Sequence, residues 1–253
     1  MSKKRYQKPH NTGKIQIIYG LHAVRAALLN GKRAHEELYI TENNKQIEEN
    51  LRSKVPKITI LDHKEFKKLH GEIKSNQGIV LRTNDFERPS LQQFLKNEDK
   101  KDKSVLLALD QITDPQNIGS IMRSCSMFDC KGIIVAKDNS PEITSSLLKA
   151  ASGAAEVVNY FRVTNLKRTL SDFKKNNYWI YGFDSSNNTK SELEFSKKSV
   201  LVFGSEGKGM RNLIRKECDI LVKIKSKPNI EYEIDSLNVS NAASIALYEF
   251  FKI

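Results

Sequence analysis

Three short patches combine small residues with committed polar groups. They are Asn117-Ile118-Gly119 with Arg123 one helical turn on, Gly204-Ser205-Glu206-Gly207-Lys208-Gly209, and Ser236-Leu237-Asn238-Val239-Ser240. Glycine lets a ligand or another backbone approach closely, while Asn, Arg and Glu supply directional hydrogen bonds. Arg123 lies four residues after Gly119, so on a helix the missing side chain clears space above the guanidinium, and Ser120 and Ser124 keep its surroundings small. An arginine in such a niche suits a phosphate or a developing oxyanion; a surface salt bridge is its plainer use. Glu206 can accept from a substrate hydroxyl or amine or orient an arginine, and a solvated acid on a turn is the alternative. Asn117, Ser236 and Asn238 are each open to an ordinary helix-capping role. The Gly-Lys pair is no phosphate loop, because the following Ser/Thr and the upstream spacing are absent, and the patch lacks the dinucleotide glycine pattern.

These patches need a framework. From Ser104 onward, VLLALD, GIIVA, YWIYGF, SVLVFG and DILVKI are near-continuous apolar runs, as in strands buried on both faces. Helical patterns alternate with them: Ile118, Ile121, Met122, Cys125 and Phe128 make one stripe, and Val239, Ala242, Ala243, Ala246, Leu247 and Phe250 another. Alternation of this kind predicts a mostly parallel α/β sheet covered on both faces. Sites in open sheets form at the carboxyl ends of strands, so three such ends point to one composite site.

Upstream, residues 15–84 read as a small α/β module: strand IQIIYG, a helix over Leu21–Leu29 stopped near Gly31, and strands EELYI, KITILD and QGIVLRT separated by helix-prone segments at 43–53 and 62–70. Residues 85–103 are charged and poor in apolar residues and read as a linker with a short helix around Leu91–Leu95.

The net charge of +12 is uneven: residues 1–100 carry 20 Lys/Arg against 12 Asp/Glu, and residues 1–14 hold five Lys/Arg and no acid, a basic tail. That asymmetry suits a polyanion such as nucleic acid, held mainly by the N-terminal part; a solvated basic face is the plainer alternative. No stretch approaches the roughly 20 apolar residues of a membrane span, and the basic start lacks the apolar core of a secretory signal. Cys125, Cys130 and Cys218 have no metal-ligand spacing and read as reduced cytosolic thiols in or near the core. All five histidines lie in the first 70 residues, remote from the patches, and Trp179 reads as core.

In this order, N-x-G-x-x-x-R at Asn117/Gly119/Arg123, GSEGKGM at 204–210 and SLNVS at 236–240 resemble the three signature motifs of the SpoU branch of knotted (SPOUT) RNA ribose methyltransferases. IYGLHAV at 18–24 and NQGIV at 76–80 resemble the ribosomal-protein-like RNA-binding domain of many members; ASGAAEVV at 151–158 and RVTNL at 162–166 add to the likeness. The resemblance implies a C-terminal α/β trefoil-knot methyltransferase domain over 104–253, a known exception to the rarity of knots. It also implies a small N-terminal RNA-binding domain, S-adenosyl-L-methionine as methyl donor, no metal, a cytoplasmic homodimer, and methylation of a guanosine 2′-hydroxyl in 23S rRNA, with tRNA as the rival substrate. Carried over by motif, Gly204, Ile224 and Leu237 would contact the donor, while Asn117, Arg123, Glu206, Ser236 and Asn238 would make the catalytic cluster.

One departure stands out. Where the family has a short loop of small residues, this chain reads Lys225-Ser226-Lys227-Pro228-Asn229-Ile230-Glu231-Tyr232-Glu233-Ile234-Asp235, with no glycine and three acids. Those acids could attract a cationic sulfonium or impede its binding. The loop is the one feature favouring a rival class, a non-catalytic RNA-binding ribosome-assembly factor.

Overall fold

The computed structural model describes residues 14–47, 49–71, 73, 75–98, 102–138, 140–184, 194–227 and 236–253. The basic tail up to Gly13, and Glu231, Glu233 and Asp235 of the acidic loop, lie outside the described residues. Two compact units emerge: one contains residues up to Arg88 together with Ile143–Glu156, the other Pro89–Glu142 and Val157–Ile253.

In the first unit, strands β1 (Ile15–Tyr19), β2 (His35–Thr41), β3 (Ile58–Leu61) and β4 (Ile79–Asn84) form a sheet in the order β1-β4-β2-β3. β4 is antiparallel to both neighbours, and β2 and β3 run parallel. Helix α1 (Leu21–Leu29) buries Ala23, Val24, Ala27 and Leu28, four positions on one helical stripe. A short α2 (Glu49–Arg52) follows, and α3 (His63–His70) starts at a capping box in which Asp62 accepts from the amides of Lys64 and Glu65.

Sequence order does not reveal that Ile143–Glu156 belongs to this unit. The segment carries helix α6 (Ser145–Ala150) and a turn in which Ser152 and Gly153 take φ of 48° and 97°. A Cβ on Gly153 would lie 2.5 Å from that of Ala26, so only glycine permits this approach to α1. Glu156 ends the segment and accepts from Arg33 through both carboxylate oxygens at 2.8 Å and from Asn30 at 2.7 Å. Arg33 also donates to the Gln16 side chain and to the Asn84 carbonyl, so a fully buried guanidinium is satisfied on every side.

The second unit is built on six parallel strands in the order β10-β8-β9-β5-β6-β7: β5 (Ser104–Asp110), β6 (Gly132–Ala136), β7 (Asn159–Val163), β8 (Trp179–Phe183), β9 (Lys198–Gly204) and β10 (Ile220–Val222). All seven residues of β5 are buried, as expected of a central strand covered on both faces. Helices α5 (Pro115–Met127), α7 (Leu166–Lys175), α8 (Asn212–Arg215) and α9 (Val239–Phe251) flank the sheet. α5 and α9 pack together, with the hydroxyls of Ser124 and Ser244 2.6 Å apart. Phe128 falls just beyond α5 as its C-cap and meets the rings of Tyr248 and Phe251.

Two expectations change. The short helix expected around Leu91–Leu95 of the linker runs on as α4 (Leu91–Glu98) and is docked, its Phe94 entering the core with Leu91 and Leu95 packed beside it. Lys96 faces outward, Glu98 is buried and accepts from the Ser104 hydroxyl at 2.8 Å, and three apolar residues at helical spacing suffice to dock the helix. Trp179 is not core: it begins β8 and is 49% exposed, because it precedes the residues of the strand that pair with β10 and so lies at the end of the covered sheet, while Ile180 and Tyr181 after it are buried. Strand β7, NYFRV, carries only a weak strand signal, since its polar residues interrupt the apolar run.

Candidate active site

β5, β9, β8 and β10 end on the same side of the parallel sheet, and the three patches meet there. α5 begins at Asp114, which accepts from the Gln116 amide with Pro115 in the first turn. That removes the capping role from Asn117, whose side chain is free to face the neighbouring loop. The Glu206 turn leaves β9 as a narrow hairpin, with Ser205 and Gly209 bridged and the Gly209 amide donating to the Ser205 carbonyl at 2.8 Å. Gly207 and Gly209 have φ of 83° and 65°, which explains two of its glycines. The third, Gly204, has no room: a Cβ there would lie 2.1 Å from the Gly209 carbonyl carbon and from the Met210 nitrogen.

Glu206 is the hub of the polar cluster. Its Oε1 accepts from the Asn238 side-chain amide at 2.7 Å, from the Asn117 amide at 3.4 Å and from the Val239 backbone at 3.4 Å. The Asn238 amide also donates to Asn117 Oδ1 at 3.0 Å. Asn238 meanwhile caps α9, its Oδ1 accepting from the Ser240 amide at 2.9 Å and the Ser240 hydroxyl at 2.6 Å. Capping and cluster are therefore one arrangement: a negative carboxylate held over the N-terminal end of α9 by donors from two other segments.

Beside this cluster opens a cavity of about 250 Å³, lined by Gly204, Glu206, Ile224, Ser236 and Leu237 together with Phe183, Asp184, Phe203 and Lys223. The first five of these, all assigned from motifs, thus share one wall system. Phe183 and Phe203 are not singled out by the sequence. They are paired across β8 and β9 and their rings stack at 4.5 Å; the available signal is that two adjacent apolar runs both place a Phe near their end. The lining mixes apolar faces, close-approaching backbone and carboxylates, a donor set suited to an amphipathic cationic ligand.

Arg123 stands apart. It is exposed on α5, and among the described residues its guanidinium makes no ion pair and no hydrogen bond to the Asn117–Glu206–Asn238 cluster. The cysteines offer no nucleophile: burial pushes Cys125 well up, with Cys130 beside it adding to the effect, and takes Cys218 up to about 12. Among the described residues no group of His, Cys, Asp and Glu could hold a metal ion, and no helix is long and apolar enough to cross a membrane.

Comparison with known proteins agrees with this geometry. Residues 104–248 match the SpoU rRNA Methylase family, and residues 17–89 match the RNA 2′-O ribose methyltransferase substrate binding domain. A TrmH family tRNA/rRNA methyltransferase of Staphylococcus aureus is 36% identical over 241 residues, covering 93% of this chain and 95% of the relative. The 23S rRNA (guanosine-2′-O-)-methyltransferase RlmB of Coxiella burnetii is 34% identical over 243 residues, with the same coverage. Among solved structures, the SpoU methyltransferase AviRb of Streptomyces viridochromogenes in complex with AdoMet superposes with a TM-score of 0.74 at 19% identity, over 93% of this chain and 89% of that one.

Proposed function

Since the chain belongs to the SpoU rRNA methylase family, and is an RNA 2′-O-methyltransferase of that family, we propose that it methylates the ribose 2′-hydroxyl of a guanosine in 23S rRNA from S-adenosylmethionine. The observation that carries the reading is the convergence of Asn117, Glu206 and Asn238 within hydrogen-bonding distance at the mouth of a cavity lined by Gly204, Ile224, Ser236 and Leu237.

The residues present fit that donor. The stacked Phe183 and Phe203 rings give an apolar wall, and Glu206 supplies negative charge for a cationic sulfonium, while Asp184 on the same wall is paired with Arg215 at 2.7 Å. When bound, the donor supplies an electrophilic methyl carbon; the chain's own residues must present the hydroxyl oxygen to it in line. Asn117, Glu206 and Asn238 fix the α9 end of the cavity, and Ser236 and Leu237 offer backbone groups beside it. Arg123 is the cation available to RNA: its planar fork suits the phosphate next to the target ribose or the alkoxide that develops as the proton leaves.

A homodimer belongs to the same reading. Met127 at 75%, Ile245 at 37%, Tyr248 at 50% and Phe251 at 53% exposure give α5 and α9 an apolar outer face. Arg123 lies one turn from Met127, so a second copy covering that face would border the guanidinium. The C-terminal knot, the cytoplasmic location, and an RNA grip by residues 1–14 and 15–84 complete the proposal. The Coxiella relative favours 23S rRNA over tRNA.

Donor binding to the folded state must stabilise it, by about 2.7 kcal/mol at a hundredfold excess over Kd. For a chain of this size that raises the melting temperature by roughly 5–10 °C. No shift at saturating S-adenosylmethionine, with or without 23S rRNA, would turn the reading toward an RNA-binding assembly factor.

A further inference from the structure

Asp110 is the last residue of β5 and is completely buried. A carboxylate at that depth must be paired, and its partner is Arg211. The Arg211 backbone amide donates to Asp110 Oδ2 at 2.8 Å, its Nε donates to Oδ1 at 2.9 Å, and its terminal nitrogen lies 2.7 Å from Oδ1. Neither residue lines the cavity. Both sit where segments that do, or that build the Asn117–Glu206–Asn238 cluster, are rooted. Asp110 pairs in register with Gly204, the start of the Glu206 turn, and Arg211 follows Met210 directly at the end of that turn. On the other side, Asp110 leads into Gln111, which takes a left-handed φ of 61° as the chain swings toward Asp114 and Asn117. One ion pair, its carboxylate buried and its guanidinium 42% exposed, thus closes the base of the Glu206 turn and anchors the strand end from which the Asn117 segment departs.

Glycines make this clamp necessary. Gly207 and Gly209 have open space where a side chain would sit, so the turn has no side-chain packing of its own at those positions. Its internal restraint is the Ser205–Gly209 bridge. Its tip is tied to α5 and α9 through Glu206; without a second tie at its base it would sample more conformations, and ligand binding would have to bear the entropy of ordering it.

We infer that Asp110 and Arg211 are a positioning pair for the donor pocket, acting through the 204–210 turn rather than by touching donor or RNA. The inference rests on the methyltransferase reading and extends it to two residues outside the three motif patches. Arg211→Gln keeps the backbone bond but loses the guanidinium fork, whereas Arg211→Lys keeps the charge and one donor.

The test is titration calorimetry of S-adenosylmethionine with wild type, Arg211→Gln and Arg211→Lys, alongside methyl-transfer kinetics and amide hydrogen exchange across 204–210. In Arg211→Gln the donor Kd and KM should rise about tenfold, the KM for RNA should stay within about twofold, and the Gly209 amide should exchange faster. Arg211→Lys should recover part of the donor affinity. A purely structural role would lower the active fraction, cutting kcat while leaving donor Kd and Gly209 exchange unchanged, and that result overturns the inference. Wild type failing to bind donor would instead overturn the functional reading, so the two failures are told apart by which protein shows them.

Discussion

Asn238→Asp changes one atom of the site and leaves its shape intact. The carboxylate retains Oδ1, so it still caps α9 through the Ser240 amide and hydroxyl. What it loses is the amide that donates to Glu206 Oε1 at 2.7 Å and to Asn117 Oδ1 at 3.0 Å. Two donated bonds become a confrontation of two carboxylates. Unit charges 4 Å apart repel by about 1 kcal/mol in bulk water and about 4 kcal/mol near a protein surface. At 1.36 kcal/mol per decade of rate, the repulsion alone should cut methyl transfer by roughly 5-fold to 1,000-fold. The same repulsion acts in the folded state and should lower thermal stability by up to about 1–4 kcal/mol, although the cap survives. Asn238→Ala shows the opposite balance: no repulsion, but a lost cap costing about 1 kcal/mol of stability. The assay is methyl transfer against pH for wild type and both variants. At about pH 8 the order should be wild type, then alanine, then aspartate; as the pH falls and the carboxylate pair takes up a proton, the aspartate variant should recover relative to wild type. A wild-type rate for Asn238→Asp at about pH 8 would refute the claim that this amide holds Glu206 in its working position.

Gly204→Ala places a methyl 2.1 Å from backbone atoms of Gly209 and Met210, so the turn must open by about 1 Å or more; calorimetry should show donor affinity falling at least about tenfold. Glu156→Ala strands the buried Arg33 and should cost about 3–5 kcal/mol in urea unfolding, while Arg33→Met combined with Glu156→Leu should regain most of it; a loss under about 1 kcal/mol contradicts the buried-network account. Burial, with Arg33 adding its charge, lowers His35 from its ordinary 6.5 to about 4. The unfolded chain therefore binds more protons between those values, and stability should fall as the pH drops from about 6.5 toward 4. Denaturant melts of His35→Gln should show a flatter dependence across that window.

Much of the fold and the site is legible in the sequence because the signals are local. β5 and β9 are unbroken apolar runs, and the Glu206 turn announces itself by glycines, of which Gly207 and Gly209 take positive φ. What sequence cannot show are pairings set by tertiary packing. Asp110 and Arg211 are 101 positions apart and neither is unusual in its neighbourhood. Nothing beside Glu156 in the sequence points to its partner Arg33, 123 positions away. Trp179 misleads for the converse reason: its place at the start of β8, ahead of the residues paired with β10, leaves it exposed despite its hydrophobicity. Asn238 shows that a capping role does not exclude a place in the site, since its cap and its bond to Glu206 use opposite ends of one amide.

The most direct measurement is transfer of labelled methyl from S-adenosylmethionine to 23S rRNA, 16S rRNA and bulk tRNA in parallel, followed by digestion to nucleosides, with Arg123→Ala as the control. Label recovered as 2′-O-methylguanosine from 23S rRNA alone, and lost in the variant, is the predicted result. Label confined to tRNA would contradict the substrate assignment while keeping the chemistry. Tight RNA binding with no label on any RNA would contradict the central claim itself.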